Sequence, residues 1–233
     1  MRTLLNQIKW QFIILHNNKL IVISFAITAL YGIIFFLIKD LPNVEPFLTL
    51  LIYNDPAIIG LFFIGLGIIM ENNDNLLPAL FVTPVNHHVY LISRVLSLSF
   101  VGLVCAAGMT LTILGPQINW LEFSIGVFST CLIFSLVGIF VVSYTMEFLN
   151  FMLRSIPLLV LLSLPLFNYF GLTDNIIFEF MPTQGPLNLT ISSFGSQVPS
   201  NPNWISYLSI LIWIPVLYLF VYKIFIKRVA KSK

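Results

Sequence analysis

Leu20-Ile-Val-Ile-Ser-Phe-Ala-Ile-Thr-Ala-Leu-Tyr-Gly-Ile-Ile-Phe-Phe-Leu-Ile38 decides the fold, because it carries no charged residue from end to end. As a helix rising ~1.5 Å per residue it covers a hydrocarbon layer ~30 Å thick. Comparable apolar runs recur at 56–70, 95–114, 123–146, 155–170 and 204–226. The composition agrees: 58% of the 233 residues are hydrophobic and 9% are charged, against roughly 25% charged in a soluble domain. So few charges cannot cover a water-facing surface. The expected fold class is an all-α integral membrane protein with about six transmembrane helices, forming a single transmembrane domain over 1–233. The first run exceeds the ~15 residues of a signal-peptide core and no A-x-A-like site follows, so it is read as a span.

Charge placement sets the expected orientation. Arg2, Lys9 and Lys19 precede the first span, and Lys223, Lys227, Arg228, Lys231 and Lys233 end the last. Arg94 and Arg154 lie by the connections after the second and fourth spans, whereas 171–203 holds no Lys or Arg. Lys39, beside Asp40, is the exception on that side. The positive-inside rule puts both termini in the cytoplasm. A net charge of +2 without a basic patch excludes nucleic acid as a partner.

Before the first span, 1–19 reads as an amphipathic interfacial helix. Met1, Leu4, Leu5, Ile8, Phe12 and Leu15 share one face, with Arg2, Asn6, Gln7, Lys9 and Gln11 opposite. A polar start to the first span is the alternative. In the second span, Asp55 suits an N-cap and Pro56 the first helical position. The span is therefore expected to begin at Pro56, with 44–53 a short outer segment. One long kinked helix would instead make Asp55 a buried carboxylate and a candidate pathway residue. Pro157 and Pro165 bend or break the fifth span. The 171–203 connection is apolar enough to be partly membrane-inserted, and Trp204 and Tyr207 suit the outer interface.

Much chemistry is missing. Glu122 and Glu147 lie near span ends, and the span centres as drawn carry no charge, so uphill transport needs an energy source outside the chain. Gly60-x4-Gly65 lacks the Lys and Ser/Thr of a phosphate loop, and helix packing accounts for it. The adjacent His87 and His88 cannot share a helix face and read as a solvated turn without metal spacing. Cys105 and Cys131 fall inside apolar spans and pack as small hydrophobes. Asn188-Leu-Thr190 matches a glycosylation sequon by a short, easily coincident pattern. No nucleophile, metal set or acid–base pair supports an intramembrane enzyme.

The informative soluble stretch is 71–88. Leu76, Leu77, Leu80 and Phe81 repeat at helical spacing after Glu71 and Asp74, and Thr83-Pro84 stops the helix. Such a helix is either a plug for a groove on another protein or a re-entry helix packed on its own bundle. Glu71, the Leu77-x-x-Leu80-x-Val82-Thr83-Pro84 run and Tyr90-Leu91-x-x-Arg94-Val95-Leu96 resemble the loop after the second span of type-2 ATP-binding cassette (ABC) permeases, near the drug- and antibiotic-export branch. Asn54-Asp55-Pro56-Ala57 and the overall layout are similar as well. Asn75, Leu76 and Pro78 depart from the Gly, Thr and Glu common there.

The resemblance implies an export permease subunit in a bacterial plasma membrane, paired with a second copy or relative and driven by separate ABC ATPase subunits. ATP and Mg would reside in those partners, with no cofactor, catalytic residue or metal in this chain. Glu71, Asp74, Leu76, Leu77, Leu80, Phe81, Thr83 and Pro84 would form the ATPase-coupling helix. The cargo expected of a path without fixed charge is amphipathic or apolar. The competing reading is a six-span scaffold using the same helix for docking, with no transport cycle.

Overall fold

A computed structural model describes residues 2–38, 45–77, 86–173, 176–195 and 203–230. Among these residues the secondary structure is entirely helical. α1 spans Arg2–Asn17 and α2 Leu20–Ile38. α3 covers Glu45–Ile58 and passes through a π-turn at Ile59–Phe63 into α4, Ile64–Asn73. α5 is His87–Ile113, α6 Trp120–Val142 and α7 Phe148–Ser163, followed by the short α8, Pro165–Tyr169. α9 is Gln184–Ser193, and α10 is Asn203–Phe225, ending in a π-turn at Ile226–Ala230. Five helical stretches are long and apolar enough to cross a membrane, and the α1–α2 pair, bent by 67°, makes a sixth. The chain is an all-α, multi-pass membrane protein.

α6 is the hub of the bundle, packed by α3, α4, α5, α7, α9 and α10. Lipid is as apolar as leucine, so helices in a bilayer associate through close packing rather than expulsion of water. The hub accordingly presents backbone to its neighbours. A Cβ at Gly60 would stand 2.6 Å from the Cys131 carbonyl oxygen, and one at Gly126 would stand 2.6 Å from Thr190 Oγ1. α7 and α10 turn apolar residues outward, with Leu149 70% and Leu211 73% exposed, as lipid-facing helices do. Cys105 and Cys131 are buried free thiols.

The second span differs from the sequence reading. The helix does not begin at Pro56 but runs unbroken from Glu45 through Asn54-Asp55-Pro56. Pro56 removes one backbone donor, and the π-turn that follows re-seats the ladder within the helix. Asp55 caps nothing; it is buried and its carboxyl accepts a 2.9 Å hydrogen bond from Thr28 Oγ1 on α2. A local start signal has been overridden by a tertiary partner. The alternative of one long helix with Asp55 as a buried carboxylate is the one the structure takes.

At the other end of the hub, α9 is buried along almost its whole length between α6 and α10. Several of its polar groups bond within the helix: Gln184 Nε2 donates to Asn188 Oδ1 at 3.0 Å and Thr190 Oγ1 donates to the Pro186 carbonyl at 2.9 Å. Asn188, enclosed in this way, is not an accessible glycosylation acceptor. Glu122 ties the ends of three helices together, accepting from Ser192 Oγ at 2.6 Å and from Asn203 Nδ2 at 2.8 Å. Where α7 breaks before Pro165, the Leu162 carbonyl accepts from Thr183 Oγ1 at 2.7 Å.

α1 packs along α5, with Leu15 buried and Phe12 edge-on to Phe100 at 6.0 Å between centroids. Leu4 and Ile8 are half-buried on that side, while Leu5 faces outward. Lys19, at φ 58°, makes the bend into α2.

The packing makes a paired prediction. Gly60→Ala should lower stability by about 1–3 kcal/mol, because backbone faces the added methyl. Gly108→Ala, where a Cβ meets nothing within 4 Å, should be neutral or stabilising. Thermal unfolding of both variants in mild detergent checks the contrast.

Candidate functional site

The segment after α4 departs from a buried charge cluster. Glu71, in the last turn of α4, is 4% exposed, and Arg94, in the second turn of α5, is 2% exposed. Arg94 Nη1 donates to Glu71 Oε1 as an ion pair. Tyr90 Oη donates to Glu71 Oε2 at 2.6 Å and accepts from Arg94 Nη1 at 3.0 Å. Gly67 makes room for the guanidinium, since a Cβ there would collide with Arg94 Nη2. The cluster clamps the end of α4 to the start of α5. Glu71 thus faces the bundle interior.

The other residues read as the coupling helix divide by exposure. Leu77 is 2% exposed and belongs to the main apolar core, whereas Leu76 is 53% exposed and Asp74 is exposed beside it. Asn75 between them takes φ 57°, a left-handed turn that Asn tolerates. Leu80, Phe81, Thr83 and Pro84 lie outside the described residues.

On the far side the segment is anchored again. Asn86 caps α5 by accepting from the His88 backbone N–H at 2.9 Å. The His88 ring stacks on Tyr222 of α10 at 3.7 Å between centroids, and its Nδ1 is 2.8 Å from Tyr218 Oη. The sequence reading of His87 and His88 as a solvated turn is therefore corrected for His88, which docks α5 onto α10. Among the described residues no group of three or more His, Cys, Asp or Glu is placed to hold a metal.

Sequence reasoning missed Arg94 and Tyr90 as the partners of Glu71, and Thr28 as the partner of Asp55. One signal was available: an arginine opening a long apolar helix needs an acid nearby, and the preceding helix ends on Glu71.

The cluster predicts a stability pattern. Arg94→Leu alone strands a buried carboxylate and should destabilise by about 3–5 kcal/mol. Glu71→Leu combined with Arg94→Leu should recover a large part of that loss, and Tyr90→Phe should lose only about 1–3 kcal/mol. Thermal melts and membrane yields of the three variants give the comparison.

With this geometry in hand, the relatives are informative. The profile of the fluoroquinolones export permease protein family matches residues 4–233. A fluoroquinolones export permease protein of Mycobacterium tuberculosis strain CDC 1551 / Oshkosh is 30% identical over 170 residues, covering 71% of this chain and 69% of the relative. The protein of the same description from strain ATCC 25618 / H37Rv matches with the same 30% identity and coverage of 71% and 69%. No solved structure matches significantly. A match across nearly the whole chain, together with the helical membrane architecture, places the protein among export permeases: it belongs to the fluoroquinolones export permease protein family.

Proposed function

We propose that the chain is the membrane-spanning permease subunit of an ABC exporter in the cell membrane, driven by a separately encoded ATPase and moving amphipathic, fluoroquinolone-like compounds outward. One observation carries the mechanism: the residues that flank the segment between α4 and α5 are anchored in the bundle on both sides, by a buried cluster before it and a half-buried contact after it. The Glu71–Arg94–Tyr90 cluster holds its first end and the His88–Tyr218–Tyr222 contact holds its second. A segment held in this way transmits a push to two helices at once, α5 through Arg94 and α10 through His88. ATP and Mg act in the partner. Nucleotide-driven closure of the ATPases presses on this segment and on α1, and the bundles of two permease copies rock against each other, with both termini on the cytoplasmic side.

The residues in the cargo's favour are the apolar spans themselves. A path of Leu, Ile, Phe and Val gives an inorganic ion nothing for its lost hydration but accepts flat apolar rings. The relatives, named as fluoroquinolones export permease proteins, point to the same class.

The core placement of Leu77 selects the informative substitution. Leu77→Asp would bury a charge and damage the fold. Leu76→Asp alters an exposed side chain and should abolish recovery of the ATPase in affinity purification from native membranes, with the permease still inserted and monodisperse. Recovery of the ATPase at wild-type level with Leu76→Asp removes the segment from the coupling role. A bound ATPase without cargo movement would favour the scaffold reading.

A further inference from the structure

Asp55 is 2% exposed, and among the described residues no Lys, Arg or His forms an ion pair with it. A carboxyl group buried in a membrane bundle without a cation is costly and marks a functional position. Its hydrogen bond to Thr28 Oγ1, 2.9 Å long, leads directly to a groove between α2 and α5. That groove has a volume of about 470 Å³, within the range of small-molecule sites. Phe25, Ile33 and Met109 supply apolar wall, and Gly32 and Gly108 leave it open. Lys, Arg, His and acids are absent from its lining.

The direction of the hydrogen bonds decides what the groove can take. Thr28 spends its one hydroxyl proton on Asp55, so toward the groove it offers only lone pairs. Thr112, the other hydroxyl in the lining, donates to the Met109 carbonyl at 2.7 Å and is left in the same condition. The wall's hydroxyls accept and do not donate, and its one other polar hydrogen is the weak donor of the Cys105 thiol. A carboxylate or phosphate finds no cation and no strong donor there. A protonated amine finds two acceptors, one of them backed by the Asp55 carboxyl, and brings the positive charge that this acid lacks.

We infer that the α2–α5 groove binds amphipathic aromatic compounds through a protonated amine, with Thr28 as the contact and Asp55 behind it as the counter-charge. This deepens the export reading and rests on it for the step after binding. The binding itself needs neither the ATPase nor nucleotide.

The test uses the full chain in nanodiscs and a fluoroquinolone carrying a free secondary amine, compared with the same compound N-acetylated, followed by intrinsic fluorescence. The wild type should bind the amine about tenfold more tightly than the acetyl derivative, the preference expected of a charge-assisted hydrogen bond. Asp55→Asn and Thr28→Val should erase the preference, and Thr28→Ser should keep it. Gly108→Phe fills the groove from a position where a Cβ meets nothing within 4 Å. It should block both compounds without disturbing the fold, which covers the case in which the Asp55 variant misfolds. Unchanged binding in Gly108→Phe, or an unchanged preference in a folded Asp55→Asn, overturns the site and leaves the groove to a lipid chain or a second permease copy. Efflux from cells separates the two readings. Amine-selective binding without efflux defeats export and spares the site, whereas efflux indifferent to Asp55, Thr28 and Gly108 defeats the site and spares export.

Discussion

In a bilayer, apolar side chains gain nothing by leaving lipid for protein, so this bundle must be held by backbone proximity and by polar groups that satisfy one another. Both devices converge on α6. Gly60 in the π-turn and Gly126 on α6 itself let the second span and α9 approach it to backbone contact. Hydroxyls on it and at its C-cap return to its own backbone: Thr130 Oγ1 donates to the Gly126 carbonyl at 2.9 Å and Ser143 Oγ to the Ile139 carbonyl at 2.6 Å. Once α6 is fixed, α9 can carry Gln184, Asn188 and Thr190 into the interior, because each finds a partner there. The outward faces of α7 and α10 are left to meet lipid.

The same constraint explains why the acids stand out. Glu71 is neutralised on the spot by Arg94 and Tyr90, and this closed cluster is a mechanical joint. Asp55 has a hydroxyl for company but no cation. Two carboxyl groups on one continuous span, α3 to α4, thus have opposite environments. One locks the end of α4 to α5. The other is bonded to Thr28 in the wall of an open groove, where an incoming charge can still act on it.

The long uncharged runs made the helical membrane class readable from sequence, since nothing else buries such stretches. The failures came where a distant residue overruled a local signal. Asn54-Asp55-Pro56 has the composition of a helix start, yet Thr28, 27 residues earlier, claims Asp55, and the π-turn at Ile59–Phe63 absorbs the proline. Glu71 reads as a docking acid because its partner Arg94 lies 23 residues on, outside any helical spacing. His88 reads as solvated because Tyr218 is 130 residues away. Periodicity reports one helix at a time, and none of these contacts lies within one helix.

Export powered by a partner ATPase is the central claim, and flux tests it most directly. Inside-out vesicles containing the chain and its co-purified ATPase should accumulate a fluorescent fluoroquinolone on addition of ATP and Mg, and accumulation should stop when the phosphate-loop lysine of the ATPase is replaced. Equal accumulation with and without ATP, or with the inactive ATPase, would contradict the account.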